Sequence, residues 1–109
     1  METPRKVVVL PFPFSDLSTA KRRPALVLAS VGSDVILCQI TSKERRDKYS
    51  ILLEQQDFVA GGLHQASVIK PHKLFTADKS LVLYSVGTIS QEKRTEVLLQ
   101  LNAIFSKCL

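Results

Sequence analysis

The sequence predicts a mainly β protein, a small barrel or sandwich of short strands closed by one C-terminal helix. Short β-branched and apolar runs alternate with turn residues as far as Ser90, and beyond it apolar residues recur at helical spacing. A chain of 109 residues is long enough for one compact domain with a single core, expected to span residues 1–109. Its apolar fraction of 45% and charged fraction of 23% are ordinary for a folded protein, so wholesale disorder and fibrous repeats are excluded.

Val7 to Leu10 is β-branched and apolar and reads as a first strand, ended by Pro11-Phe12-Pro13-Phe14 because proline donates no ladder hydrogen bond. A polar loop over Ser15 to Arg23 closes at Pro24, and Ala25 to Ala29 follows as a buried strand. Gly32 supplies a turn before a strand over Asp34 to Thr41. The charged segment Lys43 to Lys48 is expected as an exposed loop before a strand over Tyr49 to Leu53. Gly61-Gly62 breaks the chain, and Ser67 to Lys70, Lys73 to Phe75 and Leu81 to Val86 complete the strands. Ser90 is a suitable N-cap for a helix whose apolar stripe is Val97, Leu98, Leu101, Ile104 and Phe105.

No apolar run approaches the roughly 20 residues that span a bilayer, and METPRKVVVLPFPF lacks a small-residue cleavage site, so the expected location is the cytoplasm, away from membranes. Cys38 and Cys108 sit in apolar neighbourhoods without Cys-x-x-Cys spacing and read as buried free thiols. The net charge of +5 favours a polyanionic partner. The cations group as Lys21, Arg22 and Arg23, then Lys43, Arg45, Arg46 and Lys48, then Lys70 and Lys73 around His72. Folding can bring these groups onto one face to follow a phosphate backbone, or leave them as solvated surface.

Phosphate loops, Gly-x-Ser-x-Gly elbows and Cys-x-x-Cys or His-x-Glu metal patterns are all missing from the sequence, so no cofactor and no metal is expected. RNA strand cleavage suits such a chain, because the nucleophile is the substrate's own 2′-hydroxyl. The protein need only orient it, accept its proton and stabilise charge at phosphorus.

KRRPALVLAS, a basic loop ending in Arg-Pro before an apolar strand, resembles the most recognisable stretch of the PemK/MazF toxins. Ile40-Thr41-Ser42, Gly61-Gly62-Leu63 leading to Ser67-Val68-Ile69, and Gly87-Thr88-Ile89-Ser90 follow in that family's order. The resemblance implies an SH3-like barrel of the CcdB/PemK/MazF type and a sequence-selective, metal-independent endoribonuclease toxin of a type II toxin–antitoxin pair. It also implies a homodimer acting on single-stranded RNA, leaving 2′,3′-cyclic phosphate and 5′-hydroxyl ends. The implied antitoxin has an acidic, initially disordered tail, and the pair binds DNA.

Residue by residue, Arg23 matches the family's catalytic arginine and Thr41 the threonine that helps hold the scissile phosphate. A guanidinium suits phosphate but is a poor base, so Arg23 is assigned charge stabilisation, with proton donation to the leaving oxygen as a further candidate role. Where some members carry an Arg and an Asp two apart, this chain has Lys70 and His72. His72 is therefore a candidate for the missing base or for phosphate binding, an exposed surface histidine being the alternative. Lys21, Arg22, Lys70 and Lys73 are assigned phosphate contacts, with Ser42, His64 and Asp16 as weaker members of the site. Phe12 and Phe14 can stack on bases, but Phe-Pro alternation favours packing onto the barrel. Two rivals share these residues: a non-catalytic SH3-like nucleic-acid-binding module, and a gyrase-poisoning toxin of the CcdB type.

Overall fold

The computed structural model describes residues 4–12 and 21–107. Among these residues seven strands, β1 (Lys6–Phe12), β2 (Lys21–Val31), β3 (Asp34–Ser42), β4 (Ile51–Leu53), β5 (Phe58–Gly61), β6 (Ser67–Asp78) and β7 (Tyr84–Ile89), precede one α-helix, α1 (Gln91–Phe105). The strands form one antiparallel sheet in the order β4-β6-β3-β2-β1-β7-β5. It curls into a half-barrel with the helix against it.

Curling buries both faces of the central strands, which explains their unbroken apolar runs. Val7, Leu26, Cys38 and Ile69 face one layer, where Val97 and Leu101 of α1 pack. Their neighbours Val8, Leu10, Ala25, Val27 and Leu37 face the other, against Phe75 and Val82. Each fully buried Val or Leu contributes about 1.5–3 kcal/mol of transfer free energy.

Several boundaries differ from the sequence expectation for one reason each. β1 continues through Pro11 to Phe12, and β2 begins at Lys21, with Pro11 opposite Arg22 and Phe12 opposite Lys21. The prolines are tolerated because pairing there is one-sided: β7 reaches only as far as Val9, and β3 only as far as Ala25. The two short strands expected around Pro71 are one long strand. Gln39 pairs with Lys70 and Cys38 with Leu74, so Pro71, His72 and Lys73 bulge from the ladder. β7 begins at Tyr84 because Lys79–Leu81 forms a 3-10 turn, capped by Asp78 Oδ1 accepting from the Ser80 N–H at 2.8 Å. β5, absent from the expectation, is an edge strand on β7.

Ser90 caps α1, its Oγ accepting from the Lys93 N–H at 3.1 Å. Lys93 Nζ donates to the Leu52 carbonyl at 3.1 Å, and Gln100 Nε2 to the Tyr49 carbonyl at 3.2 Å, fixing the helix against the β4 region. Of the anticipated stripe, Val97 and Leu101 are buried and Ile104 half-buried, while Leu98 and Phe105 are exposed, Phe105 by 65%. The inner stripe is thus narrower than the apolar pattern.

Cys38 is a free, buried thiol whose pKa burial pushes up to about 12; Cys108 lies outside the described residues. With so little thiolate, Cys38 should resist iodoacetamide at pH 8 in the folded protein and react only in denaturant. Peptide mapping after alkylation reads this directly.

Candidate functional site

The site arises where two central strands part. β2 and β3 pair from Val31 opposite Asp34 to Ala25 opposite Gln39. Beyond that point Ile40, Thr41 and Ser42 pair only with β6, while Lys21 to Pro24 pair only with β1. The fork holds a cleft of about 330 Å³, into which Arg22, Arg23, Thr41, Ser42, Arg45 and His64 all project a surface. A second cleft of about 250 Å³ adjoins it, bounded by Gln39, Lys70 and Lys73. Arg23, Thr41 and Arg45 line both, so they form the wall between the two.

The fork thus brings together seven of the expected residues, Arg22, Arg23, Thr41, Ser42, His64, Lys70 and Lys73. Lys21 is exposed at the start of β2 and lines neither cleft; Asp16 and Phe14 lie outside the described residues. Phe12 is buried, with its ring edge-to-face on Phe75 at 5.0 Å between centroids, as the packing reading expects. Nothing in the sequence distinguishes Arg45 from the other charges of its run. Its place depends on a 3-10 turn over Lys43–Arg45 directly after β3, which a run of charges does not reveal.

Charge balance in the clefts is one-sided. Among the described residues no carboxylate lies within ion-pair distance of Arg22, Arg23, Arg45 or Lys73, and the side chains of Arg23, Thr41, Arg45 and Lys73 make no hydrogen bond. Such a wall of unpaired donors suits an anion with several oxygens. Lys70 is the exception, held 3.4 Å from Asp47 Oδ2.

That same carboxylate oxygen stands 3.3 Å from His72 Nε2, and the His72 ring lies 5.2 Å from the Tyr49 ring. His72 therefore faces Asp47 and lines neither cleft, and its buried Nδ1 has no hydrogen-bond partner among the described residues. Asp47 is tied down from its own loop by the Tyr49 N–H at 2.9 Å and the Ser50 hydroxyl at 3.1 Å. The Tyr49 N–H is the largest influence on its pKa, burial opposes it, and smaller downward effects of Ser50, His72 and Lys70 bring the net value down to about 2. Asp47 thus clamps the basic loop carrying Arg45 to the strand carrying Lys70.

A carboxylate with a depressed folded-state pKa adds stability above its ordinary value of 3.8 and loses it as pH falls toward about 2. The Tm advantage of the wild type over Asp47→Asn should therefore be present at pH 5 and shrink as pH falls below about 4. Circular dichroism melts across that range measure it.

Among the described residues no cluster of three His, Cys, Asp or Glu side chains is placed to hold a metal ion, and no helix is long and apolar enough to cross a membrane. The sequence profile of the PemK-like, MazF-like toxins of type II toxin–antitoxin systems matches residues 3–105. The chain belongs to that family. Solved structures agree in fold: an endoribonuclease in complex with its cognate antitoxin from a mycobacterial species superposes with a TM-score of 0.77 at 10% identity, over 100% of this chain and 99% of that one. The Mycobacterium tuberculosis toxin MazF-mt6 gives 0.73 at 18% identity, over 96% and 100%. MazF from Deinococcus radiodurans gives 0.72 at 19% identity, over 96% of both chains. No curated protein sequence matches the chain. For this PemK/MazF-like toxin, the Arg-Pro step that carried the resemblance is one arm of the fork, and Thr41 stands on the other.

Proposed function

We propose that the chain is a sequence-selective, metal-independent endoribonuclease, the toxin of a type II toxin–antitoxin system. The observation carrying this reading is that Arg23 and Thr41 share the wall between two clefts whose cations, Lys70 apart, have no carboxylate partner among the described residues. Single-stranded RNA laid across the fork sets its scissile phosphate on that wall, with Arg22 and Arg45 on one side and Lys70 and Lys73 on the other. Arg23 and the Thr41 hydroxyl donate to the phosphoryl oxygens as negative charge grows there. The 2′-oxygen gives up its proton to an imidazole and attacks phosphorus, the bond to the 5′-oxygen breaks as that oxygen takes up a proton from Arg23 or solvent, and the products are a 2′,3′-cyclic phosphate and a 5′-hydroxyl.

Acceptance of the 2′ proton falls to the imidazoles. His64 lines the cleft beside Arg23, whereas His72 can take the 2′ proton only after its contact with Asp47 opens. We extend the reading to a cytoplasmic homodimer and to an antitoxin whose acidic tail occupies the same cationic clefts. Leu98, Leu99 and Phe105, left exposed on α1, are apolar surface of the kind that assembly covers.

The test is incubation of purified protein with a long single-stranded RNA in the presence of chelator, followed by mapping of 5′-hydroxyl and cyclic phosphate ends. Discrete cleavage is expected. Intact RNA beside well-folded protein overturns the reading; bound but uncut RNA then indicates a binding module, and growth arrest with intact cellular RNA indicates a gyrase-type poison.

A further inference from the structure

The bulge in β6 opens a third cavity that the cleavage chemistry does not use. Because Pro71, His72 and Lys73 leave the ladder between Lys70 and Leu74, the last doubly paired residue of β3, Gln39, borders a slot of about 290 Å³. That is near the low end of the roughly 300–1,000 Å³ that small-molecule sites occupy. Phe12, Leu74 and Phe75 form apolar walls, and Gln39 and Lys73 supply the polar groups. Phe12, Gln39 and Lys73 also line the cleft that holds Arg23 and Thr41, so the slot is a continuation of it.

We infer that this slot takes one splayed-out nucleobase of the bound RNA and that the Gln39 carboxamide reads its edge. The inference rests on the RNA-binding reading above. A nucleobase has flat apolar faces and a rim of alternating donors and acceptors, and sequence-specific recognition of single-stranded RNA works by accepting such bases and bonding their edges. The slot has the matching division, apolar walls with a carboxamide that offers a donor and an acceptor side by side. Among the described residues that carboxamide makes no hydrogen bond, and Lys73 has no carboxylate partner. Lys73 borders both cavities, so its ammonium can hold the phosphate joining the base in the slot to the nucleotide at Arg23. Gln39 then sets base preference at one position, and Lys73 sets affinity without preference.

The test uses fluorescence anisotropy with 2′-O-methyl octanucleotides, which lack the nucleophile, varied through the four bases at one position at a time. Wild-type protein is expected to discriminate at one position by about tenfold or more, and Gln39→Leu to reduce that to about threefold or less with the salt dependence unchanged. Gln39→Glu, which keeps the shape but replaces the amide donor by an acceptor, should change which base is preferred. Lys73→Ala should weaken all sequences alike and lower the salt slope by about one. Unchanged discrimination in folded Gln39→Leu and Gln39→Glu overturns the inference, as does wild-type protein that binds RNA without preference or not at all. Gln39-dependent discrimination with no cleavage of all-ribose RNA leaves the inference standing and removes the ribonuclease. Cleavage with a Gln39-independent preference does the reverse.

Discussion

Arg23→Ala is expected to lower kcat/KM for RNA cleavage by about two to three orders of magnitude, the usual cost of removing a donor aimed at developing charge. Melting should barely change, because Arg23 is only half-buried, sits where β2 pairs on one side, and has no carboxylate partner among the described residues. Arg23→Lys restores the charge but not the planar pair of donors, and should recover only part of the lost rate. Loss of a guanidinium that merely bound RNA would raise KM and leave kcat alone, whereas loss of one acting on the transition state lowers kcat itself. Single-turnover kinetics at saturating enzyme separate these outcomes. Undiminished cleavage by folded Arg23→Ala would remove Arg23 from the chemistry.

The strands of the central sheet could be read in advance because burial on both faces leaves no position for a polar residue, so Val7 to Leu10 and Ala25 to Leu28 appear as unbroken apolar runs. Their ends could not, since tolerance of Pro11 and Pro24 depends on which neighbouring strand stops where. The helix was evident from its period, but not its inner face: Leu98 and Phe105 fit the repeat as well as Val97 and Leu101 do, and docking alone decides between them. At the site, Arg23 and Thr41 were found through resemblance. Arg45 was hidden in a charge run, and the Asp47 clamp on Lys70 and His72 joins segments about 25 residues apart with no local signal.

Gly61→Ala should be among the most damaging single substitutions in the chain, lowering Tm by roughly 10–25 °C or preventing soluble expression. Gly61 has φ +67°, a region where an L side chain costs about 1–2 kcal/mol. A Cβ there would also collide with the Val86 carbonyl oxygen and come within 2.7 Å of Gly87 Cα, both backbone atoms of the paired strand β7. Nothing flexible can yield, so the strand pair must separate, adding about 1–3 kcal/mol or more. Together these approach the whole stability of a small domain, about 5–15 kcal/mol. Gly32→Ala supplies the control, because its φ of +58° carries the same backbone strain while a Cβ there meets nothing within 4 Å. It should cost only about 1 kcal/mol, a shift of several degrees. The excess loss in Gly61→Ala then measures the close approach of β5 to β7. The same turn leads into the segment carrying His64 and Gln65, which line the fork. A folded remnant of Gly61→Ala should therefore lose cleavage as well as stability, whereas Gly32→Ala should keep full activity below its Tm.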